Sequence, residues 1–245
     1  MAAAFHNTFR RIEKKYPVSA EKYEALRRQL ETHMRVDQYG ESQICNVYYD
    51  TPQSSLISLS IDRPREAAYK EKLRVRSYGV PGPEDKVYVE IKKKYDGVVY
   101  KRRAVMTLKQ QEDYLLRGIR PVGIGQEQIL SEIDYFKKKY PIAPMLMIAY
   151  KRTALYGIED PSFRVTFDRD ICYRRERLSL GDGLADAHSL HMCCYRLMEI
   201  KAGGAMPLWM ARLLSELEIY PHSFSKYGNI YKEEHHMLQL FMHDY

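Results

Sequence analysis

Between Tyr69 and Arg76 the chain alternates strictly, with Lys70, Lys72, Arg74 and Arg76 interleaved with Tyr69, Glu71, Leu73 and Val75. Successive side chains of a strand point to opposite faces, so one face of this segment is wholly cationic and the other mostly apolar. A solvent-facing strand normally mixes signs and adds Ser, Thr and Gln. A row of one sign repels itself and costs stability unless an anion fills it. The same parity recurs elsewhere. From Lys86 to Lys92, Val87, Val89 and Ile91 oppose Lys86, Tyr88, Glu90 and Lys92. From Phe163 to Asp170, Phe163, Val165 and Phe167 oppose Arg164, Thr166 and Asp168. Arg11, Glu13 and Lys15 share a face near the N-terminus, as do Glu199 and Lys201 near the C-terminus.

The triplet Glu-x-Lys thus appears three times in strand-like surroundings, at Glu13/Lys15, Glu90/Lys92 and Glu199/Lys201. Strands arranged around one cavity would bring these carboxylates and ammoniums together. A phosphate chain bound with a divalent metal needs that mixture, cations on its oxygens and a few carboxylates on Mg²⁺ or Mn²⁺. The expected fold class is α+β: a closed antiparallel β-barrel, a tunnel with a charged interior, and helices packed outside. Four helices are expected. The first is Ala20 to Leu30, capped by Ser19, with Tyr23, Leu26 and Leu30 on one face. Next come Glu127 to Tyr140, with Ile129, Ile133, Phe136 and Tyr140 as its stripe, and Pro207 to Leu217. The last starts at Lys226 behind Ser225. Gly79–Pro83 and Gly181–Gly183 read as loops within one domain spanning residues 1–245.

The net charge of +7 calls for an anionic partner. Nucleic acid fits poorly, because the cations lie on strands at period two and no groove-reading helix or stacking motif accompanies them. No apolar run approaches the roughly 18 residues of a membrane span, and Met1–Asn7 lacks the features of a signal peptide. Four cysteines in a chain of 245 residues make no disulfide framework. A reduced, cytoplasmic protein is therefore expected. His188, His191, Cys193 and Cys194 lack the second ligand couple of a structural zinc site. His235, His236 and His243 suggest no function, and no catalytic triad, P-loop or dinucleotide fingerprint is present.

Eight motifs occur in a fixed order: Arg11-Ile12-Glu13-Lys14-Lys15-Tyr16, Val47-Tyr48-Tyr49-Asp50-Thr51-Pro52, Leu73-Arg74-Val75-Arg76-Ser77-Tyr78-Gly79, Glu90-Ile91-Lys92, Tyr150-Lys151-Arg152-Thr153-Ala154, Phe163-Arg164-Val165-Thr166-Phe167-Asp168, Glu199-Ile200-Lys201 and Phe224-Ser225-Lys226-Tyr227. Together they resemble the VTC domain, the catalytic domain of the vacuolar transporter chaperone polyphosphate polymerase, within the triphosphate tunnel metalloenzymes. The resemblance runs from about Arg10 to Tyr231. It implies anion binding by Lys15, Arg74, Arg76, Lys92, Arg152, Arg164, Lys201 and Lys226, with Lys72 of the cationic row and Ser225 beside them. Lys15, Arg74, Arg76, Arg152, Arg164 and Lys226 are the expected catalytic set. Lys226 would occupy the first turn of a helix, where backbone N–H groups also favour anions. Glu199 matches the family's main metal-binding carboxylate, and Glu90 and Glu13 are the further candidates for Mn²⁺ or Mg²⁺.

Where many tunnel enzymes carry Glu-x-Glu-x-Lys, this chain has Arg11-x-Glu13-x-Lys15. One potential metal ligand is replaced by a cation, which favours the polymerase-like branch. The implied partners are ATP and inorganic polyphosphate. The family's membrane-spanning regions are absent, so translocation of product would need a membrane-protein partner. The residues themselves leave three activities open: phosphoryl transfer from ATP to polyphosphate, hydrolysis of triphosphate, and binding without catalysis.

Overall fold

A computed structural model describes residues 12–62, 69–96, 98–192 and 194–235. Arg10, Arg11, Cys193, His236 and His243 lie outside the described residues. The elements in chain order are β1 (Ile12–Val18), α1 (Ala20–His33), β2 (Met34–Asp50), α2 (Ser55–Asp62), β3 (Tyr69–Tyr78), β4 (Lys86–Tyr95), β5 (Val98–Thr107), α3 (Leu108–Leu116), α4 (Glu127–Lys139), β6 (Ala143–Gly157), β7 (Arg164–Arg174), β8 (His188–Ser189), β9 (Arg196–Ala202), α5 (Leu208–Glu216) and α6 (Lys226–Glu234). None of these helices is long and apolar enough to cross a membrane.

The strands follow the order β1-β9-β7-β6-β2-β3-β4-β5, with β8 beside β7. This corrects the expectation of a closed barrel: the antiparallel sheet has two ends and does not close on itself. Both terminal strands are built as edges. In β1, Pro17 has no N–H to give to a further ladder. In β5, the consecutive Lys101, Arg102 and Arg103 discourage a neighbour. The amide of Gln126 also clasps the β5 backbone. Its Oε1 accepts from Val105 N at 2.8 Å, and its Nε2 donates to Val105 O at 3.3 Å. A side chain thus occupies the place a further strand would take.

The chain divides into two compact units. The first comprises residues 1–42, 150–170 and 191–224. Its apolar strand positions, Tyr16, Val18, Val165, Phe167, Met198 and Ile200, pack with Tyr23, Leu26 and Leu30 of α1 and Met210, Leu213 and Leu214 of α5. Ser19 caps α1 by accepting from Lys22 N at 3.3 Å, and the helix continues three residues past Leu30 to His33.

The second unit comprises residues 43–149, 171–190 and 225–245. Leu73, Val75, Val87, Val89, Ile91, Ala104 and Met106 form its core with Leu108 and Tyr114 of α3 and Leu130, Ile133 and Phe136 of α4. The buried stripe of α4 therefore passes through Leu130, with Ile129 and Tyr140 only partly buried at its margin. Glu71, on the core side of β3, is satisfied by Lys139 Nζ and Tyr140 Oη, each at 3.0 Å.

Asp50 ends β2 fully buried and holds three segments together. Its Oδ1 accepts from Thr51 N at 2.7 Å and Leu56 N at 2.9 Å; its Oδ2 accepts from Ile57 N at 3.0 Å and the Tyr227 hydroxyl at 3.1 Å. The carboxylate thus caps the start of α2 and anchors α6. Gly228 lets these two helices approach: a Cβ there would lie 2.7 Å from Ile61 Cδ1. At the other end of α6, Glu234 receives a two-pronged bond from Arg175, whose Nη1 also donates to Met145 O at 2.9 Å. Asp50→Ala is expected to destabilise the protein by about 2–4 kcal/mol and Tyr227→Phe by about 1 kcal/mol. Urea unfolding would show this as lowered midpoints at constant slope. An unchanged midpoint for Asp50→Ala would remove the anchoring role.

Candidate functional site

In the second unit, the register places Lys72 opposite Lys92, and Lys92 opposite Lys101 on β5. Arg74 lies opposite both Tyr48 and Glu90, and Arg76 lies opposite Asn46. One polar face therefore carries Lys70, Lys72, Arg74, Arg76, Lys92, Lys101 and Arg103 around the single carboxylate of Glu90. On this face Lys72, Arg74 and Arg76 are half-buried.

Glu90, 3 % exposed, is the hub of this face. Arg74 Nε donates to its Oε2 at 2.7 Å, and Lys101 Nζ lies 2.6 Å from its Oε1. Burial alone would raise its pKa, but Arg74, Arg76 and Lys101 outweigh burial and hold it at about 2. Arg74 Nη1 also donates to the Tyr48 hydroxyl at 3.1 Å, and Arg76 Nε donates to Asn46 Oδ1 at 2.9 Å. Asn46 is itself fixed by donating to Ile148 O at 3.2 Å. Lys72 and Lys92 make no hydrogen bond or salt bridge among the described residues. Burial, together with Lys92 and Lys70, lowers the Lys72 pKa against the pull of Tyr48 and Asp50.

Ser225 caps α6 by accepting from Gly228 N at 3.2 Å, and Lys226 begins the helix half-buried. Tyr48 feels that ammonium. Burial would raise the phenol's pKa, yet Arg74, Arg76 and Lys226 bring it down to about 8.

The first unit carries a second polar face. Lys15 lies opposite Glu199, Glu13 opposite Lys201, Arg164 opposite Lys201 and Thr166 opposite Glu199. Arg152 grips Asp168 in a fork, Nε to Oδ1 at 2.6 Å and Nη2 to Oδ2 at 2.8 Å. Burial opposes its charge, but Tyr150, Asp168 and Glu199 more than compensate and raise its pKa. Glu199 Oε2 lies 3.7 Å from Arg152 Nη2 and 3.6 Å from Lys201 Nζ. Lys15 donates to Phe224 O at 2.6 Å, and Arg164 lies 3.6 Å from Asp37. The buried Thr166 Oγ1, opposite Glu199, has no hydrogen-bond partner among the described residues.

Of the three carboxylates expected to bind metal, Glu90 has both oxygens engaged by cations, and Glu13 is exposed beside Lys201. Glu199 lies 3.7 Å from Arg152 and 3.6 Å from Lys201, and stands opposite Thr166, whose hydroxyl has no partner among the described residues. No group of three or more His, Cys, Asp and Glu converges among the described residues. The sequence reading passed over Lys101 and Arg103, although their spacing of two was the usable signal. It also placed Asp168 on the polar face without giving it a role.

Lys101 belongs with Tyr48 in one prediction. Partial desolvation beside Glu90 lowers the Lys101 ammonium to about 8, with Arg74 pushing the same way against Glu90, although the side chain keeps 44% of its exposure. A polyanion binds best to a protonated ammonium and a neutral phenol. Tripolyphosphate affinity should therefore be full below about pH 8 and fall as pH rises through it. Titration calorimetry on either side of that pH should show the fall, and Tyr48→Phe with Lys101→Met should flatten it. A flat profile in the unaltered protein would exclude both groups from the anion's surroundings.

The chain matches the VTC domain family over residues 10–235. No curated protein sequence matches it. Its fold is similar to the crystal structure of a proposed adenylate cyclase from Bacillus halodurans, with a TM-score of 0.52 and 14% identity, covering 89% of this chain and 95% of that one. The PH1819 protein of Pyrococcus horikoshii follows with a TM-score of 0.46 and 12% identity, covering 91% of this chain and 99% of that one. The family match spans nearly the whole chain and includes both polar faces, so the chain belongs to the VTC domain family.

Proposed function

We propose that this protein is a metal-dependent polyphosphate polymerase, which transfers the γ-phosphate of ATP to the end of a growing inorganic polyphosphate. One observation carries the reading: a half-buried strand face of a single sign, organised by one buried carboxylate and still offering Lys72 and Lys92 to a ligand. An extended polyanion is the ligand that relieves such a row along its length. Family membership supports phosphate chains as that polyanion.

In the proposed reaction, a terminal oxygen of polyphosphate forms a new bond to the γ-phosphorus. The bond from that phosphorus to the β–γ bridging oxygen breaks, and ADP leaves with the electron pair. No protein nucleophile is required, because positioning and charge neutralisation supply the catalysis. Arg74 and Arg76 would hold phosphate oxygens at the polar face of the second unit, and Lys15, Arg152, Arg164 and Lys201 would do so at the polar face of the first. Lys226 adds its charge at the start of α6. Glu199 would hold Mn²⁺ or Mg²⁺, which when bound would supply charge neutralisation.

Incubation with ATP and Mn²⁺, followed by gel electrophoresis, tests the reading. A polyphosphate ladder is expected. Free phosphate alone would make the protein a hydrolase, and unchanged ATP with measurable binding would make it a binding module. Glu199→Gln should abolish metal-dependent turnover while metal-free tripolyphosphate binding survives or tightens, because a negative charge has left an anion site. Loss of both would instead make Glu199 a structural partner of Arg152 and Lys201.

A further inference from the structure

The end of the β4–β5 hairpin exposes large apolar side chains that nothing in the proposed reaction uses. Tyr95 is 59% exposed, Val98 48%, Val99 46% and Tyr100 51%. Tyr95 pairs with Val98 across the hairpin and with Tyr69 on β3, so these three share one face with Tyr100, while Val99 stands on the other face at the same hairpin end. Cations surround it. Lys94 is exposed directly opposite Val99, and Asp96 at the turn is the one carboxylate beside it among the described residues. Lys93 and Arg102 share a single carboxylate, Glu132, at 3.2 and 3.3 Å, leaving an excess of positive charge.

We propose that this hairpin end docks on an anionic lipid membrane. Valines and tyrosines at a projecting end suit the boundary between headgroups and acyl chains, where tyrosine can place its ring in the apolar layer and its hydroxyl in water. The surrounding lysines then lie level with anionic headgroups, their stems along the apolar layer. A second copy of the chain is a poorer occupant, because pairing two such ends would set Lys92, Lys93 and Lys94 against themselves. A nucleic acid would use the lysines but gain nothing from Val98 and Val99. The surface lies on the hairpin, and its role does not depend on the reaction proposed above.

Sedimentation of the full chain with phosphatidylcholine vesicles, with and without phosphatidylserine, tests this. Binding is expected only with phosphatidylserine, and it should weaken as salt rises. Val98→Asp with Val99→Asp should abolish it, while Val98→Leu with Val99→Leu retains it. Lys94→Gln should weaken it roughly fivefold. Val98→Asp alone, on the face away from Lys92 and Lys101, should weaken vesicle binding while its tripolyphosphate binding matches that of the unaltered protein, which separates docking from catalysis. Equal binding to both vesicle types would overturn the proposal, as would persistence in the Asp variant or failure of the Leu variant. Abolition by saturating tripolyphosphate would show that the phosphate face had bound headgroups. A dimer dissolved by Val98→Asp would assign the hairpin end to a second copy.

Discussion

The second unit depends on Glu90. Strands β3, β4 and β5 bring cations from three rows onto one face, where neighbouring like charges repel each other. A carboxylate buried between Arg74 and Lys101 links those rows and directs the guanidinium of Arg74 toward Tyr48. Removing one partner from such a buried group leaves an uncompensated charge, which costs far more than an exposed pair contributes. The cationic row is therefore held in place before any ligand arrives. Lys72 and Lys92 are members of these rows left without a hydrogen bond or salt bridge among the described residues.

The first unit solves a related problem differently. Arg152 is paired tightly with Asp168 and only loosely with Glu199. Because Asp168 fixes the guanidinium, its outer edge and the Glu199 carboxylate keep a defined spacing without closing on each other. The buried Thr166 hydroxyl opposite Glu199 adds a polar atom still lacking a partner among the described residues. Such orphaned groups are uncommon in folded proteins and gather where a ligand or solvent completes the set.

Strand parity made much of this legible. The faces of Tyr69–Arg76, Lys86–Lys92 and Phe163–Asp168 read correctly because apolar residues at every second position must turn toward a core. What parity could not give was partnership. Arg152 and Asp168 stand on different strands, and nothing local to either says that they meet. The recurring charged faces led to the expectation of a closed barrel, but closure depends on which strands pair, and a single strand's pattern is silent on that. Pro17 and the charge run of β5 were the visible signs of edges. Helix ends moved by a few residues for ordinary reasons: α1 outran Leu30 because Glu31, Thr32 and His33 contain neither Gly nor Pro to stop it.

The clasp of Gln126 on Val105 has a temporal side. The backbone groups it covers lie 21 residues earlier in the chain. On a ribosome the strand edge emerges before the residue that shields it, and α4 must dock before the shield is in place. In that interval the end of the sheet is open to pairing with another nascent chain. The charges of Lys101, Arg102 and Arg103 need no docking. They guard the edge while the Gln126 amide is still being made.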